Sequence, residues 1–285
     1  MTSPSVSLGP PVLGIELGAD VTISPDGWLE RELVVGLGLD GPPGILQGGF
    51  SAGVCIGIAR AADRFGAPLT AFTARLHAPT PMDRPLRARV RTTDEAARYL
   101  VETRDGGKLL VSAEVELAGH DPTARAFDLL ELASVPLPEP EPQTAFPTCF
   151  VCGPTPVHPH GQRLHPRPYG RDAQVGPWVA DEVFADERGV LDPLLVSAVL
   201  DCPTVWASFH HVEAQGHRAA LLAGFHVRIF QDAPVMEALR VVARMDAGEG
   251  RKIRARGALV DEDGVTYALS SALHLTVPGL PDGPT

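Results

Sequence analysis

An aspartate in the middle of an otherwise apolar helical run is the residue in this 285-residue chain best suited to chemistry. Asp201 lies in LDPLLVSAVLDCPTVWASFHH (Leu191–His211). Burial there penalises the ionised carboxylate, raises its pKa and makes it a usable base or nucleophile. The second candidate is Gln47-Gly48-Gly49, at the start of LQGGFSAGVCIGIARAADRFG (Leu46–Gly66). A helix start presents unpaired N–H groups and a positive dipole end, and glycine lets a ligand approach that backbone closely. Thr204 and Ser208 follow Asp201 at helical spacing and are candidates for binding substrate, against the plainer reading that their hydroxyls bond back to the helix. His210 and His211 suit the negative end of the same helix.

Cys149-x-x-Cys152, with His158, His160 and His165 nearby, raises the question of a metal. The histidines sit in a proline-rich loop without regular ligand spacing, and a closed structural zinc site needs four ligands, usually including a second recognisable pair. The expectation is therefore no bound metal, no redox role and no cofactor, with the Cys-x-x-Cys element shaping a loop.

The two apolar runs that carry these residues begin about 145 positions apart. A helix apolar on every face must be covered, and a curved antiparallel sheet is a natural cover. Each run is followed by four strand-like stretches: Leu69–Ala78, Leu86–Thr92, Arg98–Arg104 and Leu109–Leu117, then Ala219–Phe230, Ala238–Met245, Arg251–Val260 and Thr266–Val277. Further strands are expected near Trp28–Leu39 and Val175–Val183, and the second helix from Pro193 to about His211. Residues 1–24 read as an irregular lead-in, and Asp128–Ala133 as a short helix. The segment Val135–Pro147 (VPLPEPEPQTAFP) is an extended acidic spacer between the halves. One module occurring twice is an internal duplication, with a 25–135 module, a 136–147 linker and a 148–278 module.

Composition excludes several classes. The chain is 44% hydrophobic and 21% charged with a net charge of −11, which argues against nucleic-acid or anionic-membrane binding. The basic clusters Arg84/Arg87/Arg89/Arg91 and Arg251/Lys252/Arg254/Arg256 alternate along strand-like segments, as a solvated sheet face does. An anchor for a phosphorylated ligand is their second reading. The N-terminus has no signal-peptide pattern, no run reaches about 18 apolar residues, and two of the four cysteines fall inside the apolar helices. A cytoplasmic protein is the resulting expectation.

The Gln47-Gly48-Gly49 helix opening and the CFVCG element (Cys149–Gly153) followed by Gly161-Gln-Arg-Leu resemble double-hotdog proteins of the acyl-CoA thioesterase type. The resemblance runs from about Trp28 to Val277. It departs from the pattern where Gln47 replaces a usual histidine and where an asparagine after the CFVCG element is absent. It implies an α+β tandem (double) hotdog fold, each half a curved antiparallel sheet wrapped around one long helix. It also implies a hydrolase acting on acyl-CoA or acyl-carrier thioesters, with assembly of double-hotdog chains into a homo-oligomer as a further expectation.

In that family a carboxylate lies nine positions after the histidine of the helix opening. Nine positions after Gln47 stands Ile56, and nine after Asp192 stands Asp201. The matching position to Gly48 in the second helix is Pro193, which has no N–H to give. The resemblance thus implies one complete site joining Asp201 to Gln47, Gly48 and Gly49, and a dead mirror site joining Ile56 to Pro193. Two alternatives stand beside it. A hotdog hydratase or dehydratase would need a histidine partner, which Asp192-Pro193-Leu194-Leu195 lacks. A non-catalytic acyl-binding or scaffold protein would leave Asp201 structural.

Overall fold

A computed structural model describes residues 5–120, 129–141 and 145–279. The first half holds β1 (Val6–Ser7), β2 (Ile15–Leu17), β3 (Thr22–Ile23), β4 (Leu29–Val35), α1 (Gly48–Ala62), β5 (Ala71–Leu76), β6 (Leu86–Thr92), β7 (Arg98–Asp105) and β8 (Lys108–Glu116). The second holds β9 (Pro168–Tyr169), β10 (Ala173–Val179), α2 (Pro193–Trp206), α3 (Phe209–Ala214), β11 (Ala219–Ile229), β12 (Ala238–Glu249), β13 (Lys252–Val260) and β14 (Thr266–Val277).

All strands lie in one antiparallel sheet in the order β1-β2-β4-β6-β7-β8-β5-β11-β14-β13-β12-β10-β9, with β3 on β4. The β5–β11 pair, from Arg75↔Gly224 to Ala71↔Arg228, joins the halves. Counted outward from that seam the orders match: β5-β8-β7-β6-β4 on one side, β11-β14-β13-β12-β10 on the other. The duplication read from the sequence thus has a counterpart in the strand order. Inward and outward residues alternate along β6 and β14, which gives the sheet one buried face.

Both helices lie on that face and against each other: α1 on β5–β8, α2 on β10–β14. This explains why neither is amphipathic. From Gly49 to Ile58 all residues of α1 except Gly57 are buried, and α2 is buried without a break from Leu194 to Val205. Glycine allows the helices to meet: a Cβ on Gly49 would sit 2.4 Å from the Ser197 carbonyl oxygen, and the Ser197 hydroxyl donates to the Gly49 carbonyl at 2.8 Å.

Three expectations need correction. Residues 5–24 are no irregular lead-in: they form β1–β3, and Leu8, Leu13, Ile15 and Leu17 are core residues. Their proline and glycine content hid an apolar spacing whose packing partners are distant in sequence. The second helix ends at Trp206 and resumes as α3 at Phe209, so the chain bends after Pro203 has been accommodated inside α2. Of Asp128–Ala133, the described part holds only a single 3₁₀ turn, Leu130–Leu132, and Asp128 lies outside the described residues. The described parts of the proline-rich segment are laid against the second half, where Arg240 donates to the Val135 carbonyl at 2.6 Å and Arg167 to that of Pro138 at 2.6 Å. The first basic cluster behaves as a solvated face: Arg89 pairs with Asp26, Glu30 and Glu102 and stacks on Trp28.

Candidate active site

The end of α1 and the middle of α2 meet at Asp201. Gln47 is the N-cap of α1, its side-chain oxygen accepting from the Phe50 N–H at 2.9 Å. That bond fixes the amide, whose Nε2 donates to Asp201 Oδ2 at 2.7 Å and to the Ala198 carbonyl at 3.2 Å. The Gly49 N–H donates to the same Oδ2 at 2.9 Å. Asp201 Oδ1 has no partner among the described residues, and the carboxyl lines a cavity of about 220 Å³. Burial pushes the Asp201 carboxyl up to about 7, against the lowering effect of the Gly49 N–H. The result is a carboxyl on the cavity wall that is held through one oxygen and has a pKa suited to accepting a proton near neutrality.

The two glycines divide their work. The Gly49 N–H is committed to Asp201 and Gly49 is not at the cavity wall. Gly48 is, and its N–H, the first of α1, has no acceptor among the described residues. A Cβ on Gly48 would lie 2.8 Å from Asp201 Oδ2 and 2.9 Å from Leu222 Cβ, so the close approach of donor and acid depends on glycine. Of the two N–H groups, that of Gly48 alone is left without an acceptor among the described residues, where the sequence suggested the pair.

The cavity is shared by the two halves and is chiefly apolar, with Ile45 and Leu76 from the first, Phe146 from the joining segment, and Val205, Trp206 and Leu222 from the second. Of the polar residues on its wall, sequence reasoning took Arg251 only as one of a basic cluster and passed over Ser51, His77, Thr80 and Cys202. Thr80 has a buried hydroxyl with no partner, Arg251 is exposed at the rim, and Cys202 follows Asp201 directly. These three each arrive from a different element.

Thr204 and Ser208, the expected substrate-binding pair, stand away from the cavity wall. Both are fully buried, the Thr204 hydroxyl donating to the Asp201 carbonyl at 2.6 Å and that of Ser208 to the Thr204 carbonyl at 2.9 Å. Helical spacing brought them under Asp201, but their hydroxyls are held by the helix backbone. His210 and His211 also lie away from the cavity.

The mirror position is built differently. Asp192 caps α2, Oδ1 accepting from the Leu194 N–H at 2.8 Å and Oδ2 from Arg60 at 3.3 Å. Pro193 stands where Gly48 does, and Ile56, fully buried, stands where Asp201 does. The N-terminal segment packs on this side, where Leu8, Ile56, Arg60, Asp192 and Pro193 line a cavity of about 490 Å³ and a Cβ on Gly57 would meet Leu8 at 2.9 Å. Restoring the acid alone is expected to achieve nothing. Combined with Asp201→Asn, Ile56→Asp should leave activity at the level of the single variant, and recovered turnover would show that a second site can work.

No family model matches the sequence, and no curated protein matches it. Solved structures do. An acyl-CoA thioesterase II from Mycobacterium marinum has a TM-score of 0.61 at 13% identity, covering 96% of this chain and 98% of its own. A conserved protein with a hot dog fold from Alicyclobacillus acidocaldarius scores 0.55 at 13%, covering 92% and 97%. The dehydratase domain of PpsC from Mycobacterium tuberculosis, solved in complex with C12:1-CoA, scores 0.60 at 16%, covering 94% and 100%. The chain therefore has the hotdog fold over nearly its whole length, the fold of thioesterases and of dehydratase domains alike. Among the described residues no helix is long and apolar enough to cross a membrane.

Proposed function

We propose that this chain is a tandem hotdog acyl-thioester hydrolase. Its modules are 25–135 and 148–278, joined through 136–147, each with a sheet wrapped around one helix, and together they hold one working site. The observation that carries the reading is the shared cavity wall, on which a carboxylate of α2 and an unused N–H of α1 stand side by side. Hydrolysis of a thioester needs a base for water and a donor for the carbonyl oxygen, and these two groups are of those kinds.

In this mechanism Asp201 Oδ1 takes a proton from a water molecule, whose oxygen attacks the thioester carbonyl. The Gly48 N–H stabilises the oxyanion that forms, helped by the positive end of α1. The tetrahedral intermediate then collapses, the carbon–sulfur bond breaks, and the proton on Asp201 passes to the leaving thiolate. Attack by Asp201 itself would give a mixed anhydride instead. Gln47 and Gly49 position the carboxylate in either case. The apolar walls suit an acyl chain, and Arg251 at the rim supplies a counter-charge for the anionic end of CoA or of an acyl carrier. The same contact would give the second basic cluster its ligand-anchoring reading at that one residue.

The test is a panel of acyl-CoA and acyl-carrier thioesters of graded chain length, with free thiol measured. Thiol release from some member is the expected result. Loss of water from a 3-hydroxyacyl thioester without thiol release would reassign the site to a dehydratase. Tight binding without turnover of any member would make the protein an acyl-thioester-binding module.

A further inference from the structure

Three of the four cysteines converge on one point, although one of them is fifty residues from the others in sequence. The sulfurs of Cys149, Cys152 and Cys202 all lie within 4.8 Å of one another, and those of Cys149 and Cys202 are 3.7 Å apart. Four thiolates arranged tetrahedrally around zinc at about 2.3 Å stand about 3.8 Å from each other, so the Cys149–Cys202 separation is that of two ligands on one ion and well beyond a disulfide bond, and the third sulfur lies within about 1 Å of that spacing.

A tight turn presents Cys149 and Cys152 on the same side as Cys202. The Gly153 N–H donates to the Cys149 carbonyl at 2.9 Å and the Cys149 N–H to that of Phe146 at 3.1 Å, which fixes the turn. Gly153 closes the turn: a Cβ there would fall 2.5 Å from the Cys149 carbonyl oxygen, so no other residue fits without rearrangement. Phe150 anchors the loop, fully buried and 5.1 Å from the Phe50 ring of α1. Cys202 is brought in by α2, and the Gln47 amide lies 3.5 Å from its sulfur as an outer donor. All three cysteines line the cavity that Asp201 lines, which gives an ion a way in.

We propose that Cys149, Cys152 and Cys202 form a three-thiolate site for a single soft divalent metal ion, zinc by its donor chemistry, with the fourth coordination position facing the cavity. This reverses the expectation drawn from linear spacing, which sought the remaining ligands among nearby histidines and so overlooked a thiol on the distant helix. Three protein ligands and one open position are the arrangement of a zinc ion that meets solvent or a substrate atom. The proposal stands apart from the hydrolase reading, because metal content and thiol release are separate measurements.

The test is metal analysis of the full-length protein purified without chelators, followed by zinc titration of the metal-stripped protein against a chromophoric chelator. One zinc per chain is expected, and cobalt in its place should show thiolate-to-cobalt charge-transfer absorption. Cys202→Ser should weaken zinc by more than the 10–100-fold that losing an outer-shell partner costs. Cys55→Ser should change nothing, since Cys55 is buried in α1 outside the cluster. If Cys202→Ser does not fold, the stoichiometry and the cobalt spectrum of the unaltered protein still decide. Absence of zinc binding by the folded protein would overturn the proposal. So would a disulfide among these three cysteines as the purified form, or zinc retained at full affinity in Cys202→Ser.

Discussion

Replacing Gly48 by proline is expected to reduce thioester hydrolysis by about 10²–10³-fold beyond what Gly48→Ala costs, while leaving the helix formed. Proline suits the first position of a helix, and α2 already carries Pro193 at the equivalent place. The backbone of α1 therefore has no need of the Gly48 N–H for its own hydrogen bonds, and none is made among the described residues. Gly48→Ala keeps that N–H but adds a methyl group 2.8 Å from Asp201 Oδ2 and 2.9 Å from Leu222 Cβ, so it reports displacement of these two side chains with the donor retained. A displacement near 1 Å costs about 10² in rate. The step from alanine to proline then isolates the donor. Unfolding curves and circular dichroism establish that both variants fold. Equal rates for the two would mean that the Gly48 N–H takes no part in the reaction.

Much of this site could be read from residue order because the chemistry lies in two short segments. An aspartate among LLVSAVLDCP has few reasons to be there, and Gly48-Gly49 at a helix start has few structural substitutes. The family resemblance, with a count from the two helix openings, implied that Asp201 and Gly48 lie across from each other, and they meet. What order could not show was how one acid oxygen uses up one of the donors. The Gly49 N–H binds Asp201 Oδ2 only because α1 and α2 approach closely enough for the Ser197 hydroxyl to reach the Gly49 carbonyl.

Misreadings arose where a partner came from far along the chain. Gln47 looks like a lost histidine, yet it caps α1 and holds the carboxylate, a double role visible only with Asp201 in place. Thr204 and Ser208 have the right spacing and the wrong bonds, because a buried hydroxyl on a helix finds the carbonyl one turn back. The lead-in residues looked irregular since Leu8, Leu13, Ile15 and Leu17 alternate with proline and glycine, and the partners β4 and α1 come later in the chain. Cys202 belonged to a helix in the sequence and belongs to a thiol cluster in space.

Asp201→Asn is the second large effect expected. Asparagine keeps the size of the side chain and an oxygen for the Gly49 N–H, and it cannot take a proton from water. A loss of about 10²–10⁴ in kcat with KM little changed follows from removing a base that acts in the chemical step alone. The variant should not unfold more easily. A carboxyl raised from its ordinary value to about 7 by burial destabilises the folded state above about pH 4, increasingly up to its folded pKa, and a neutral amide escapes that penalty. The most direct measurement is free-thiol release by the unaltered protein and by Asp201→Asn, side by side on the thioester that the unaltered protein turns over best. The site described here predicts at least a hundredfold difference with the fold intact. Equal rates would contradict it, and would place the chemistry away from the meeting point of α1 and α2.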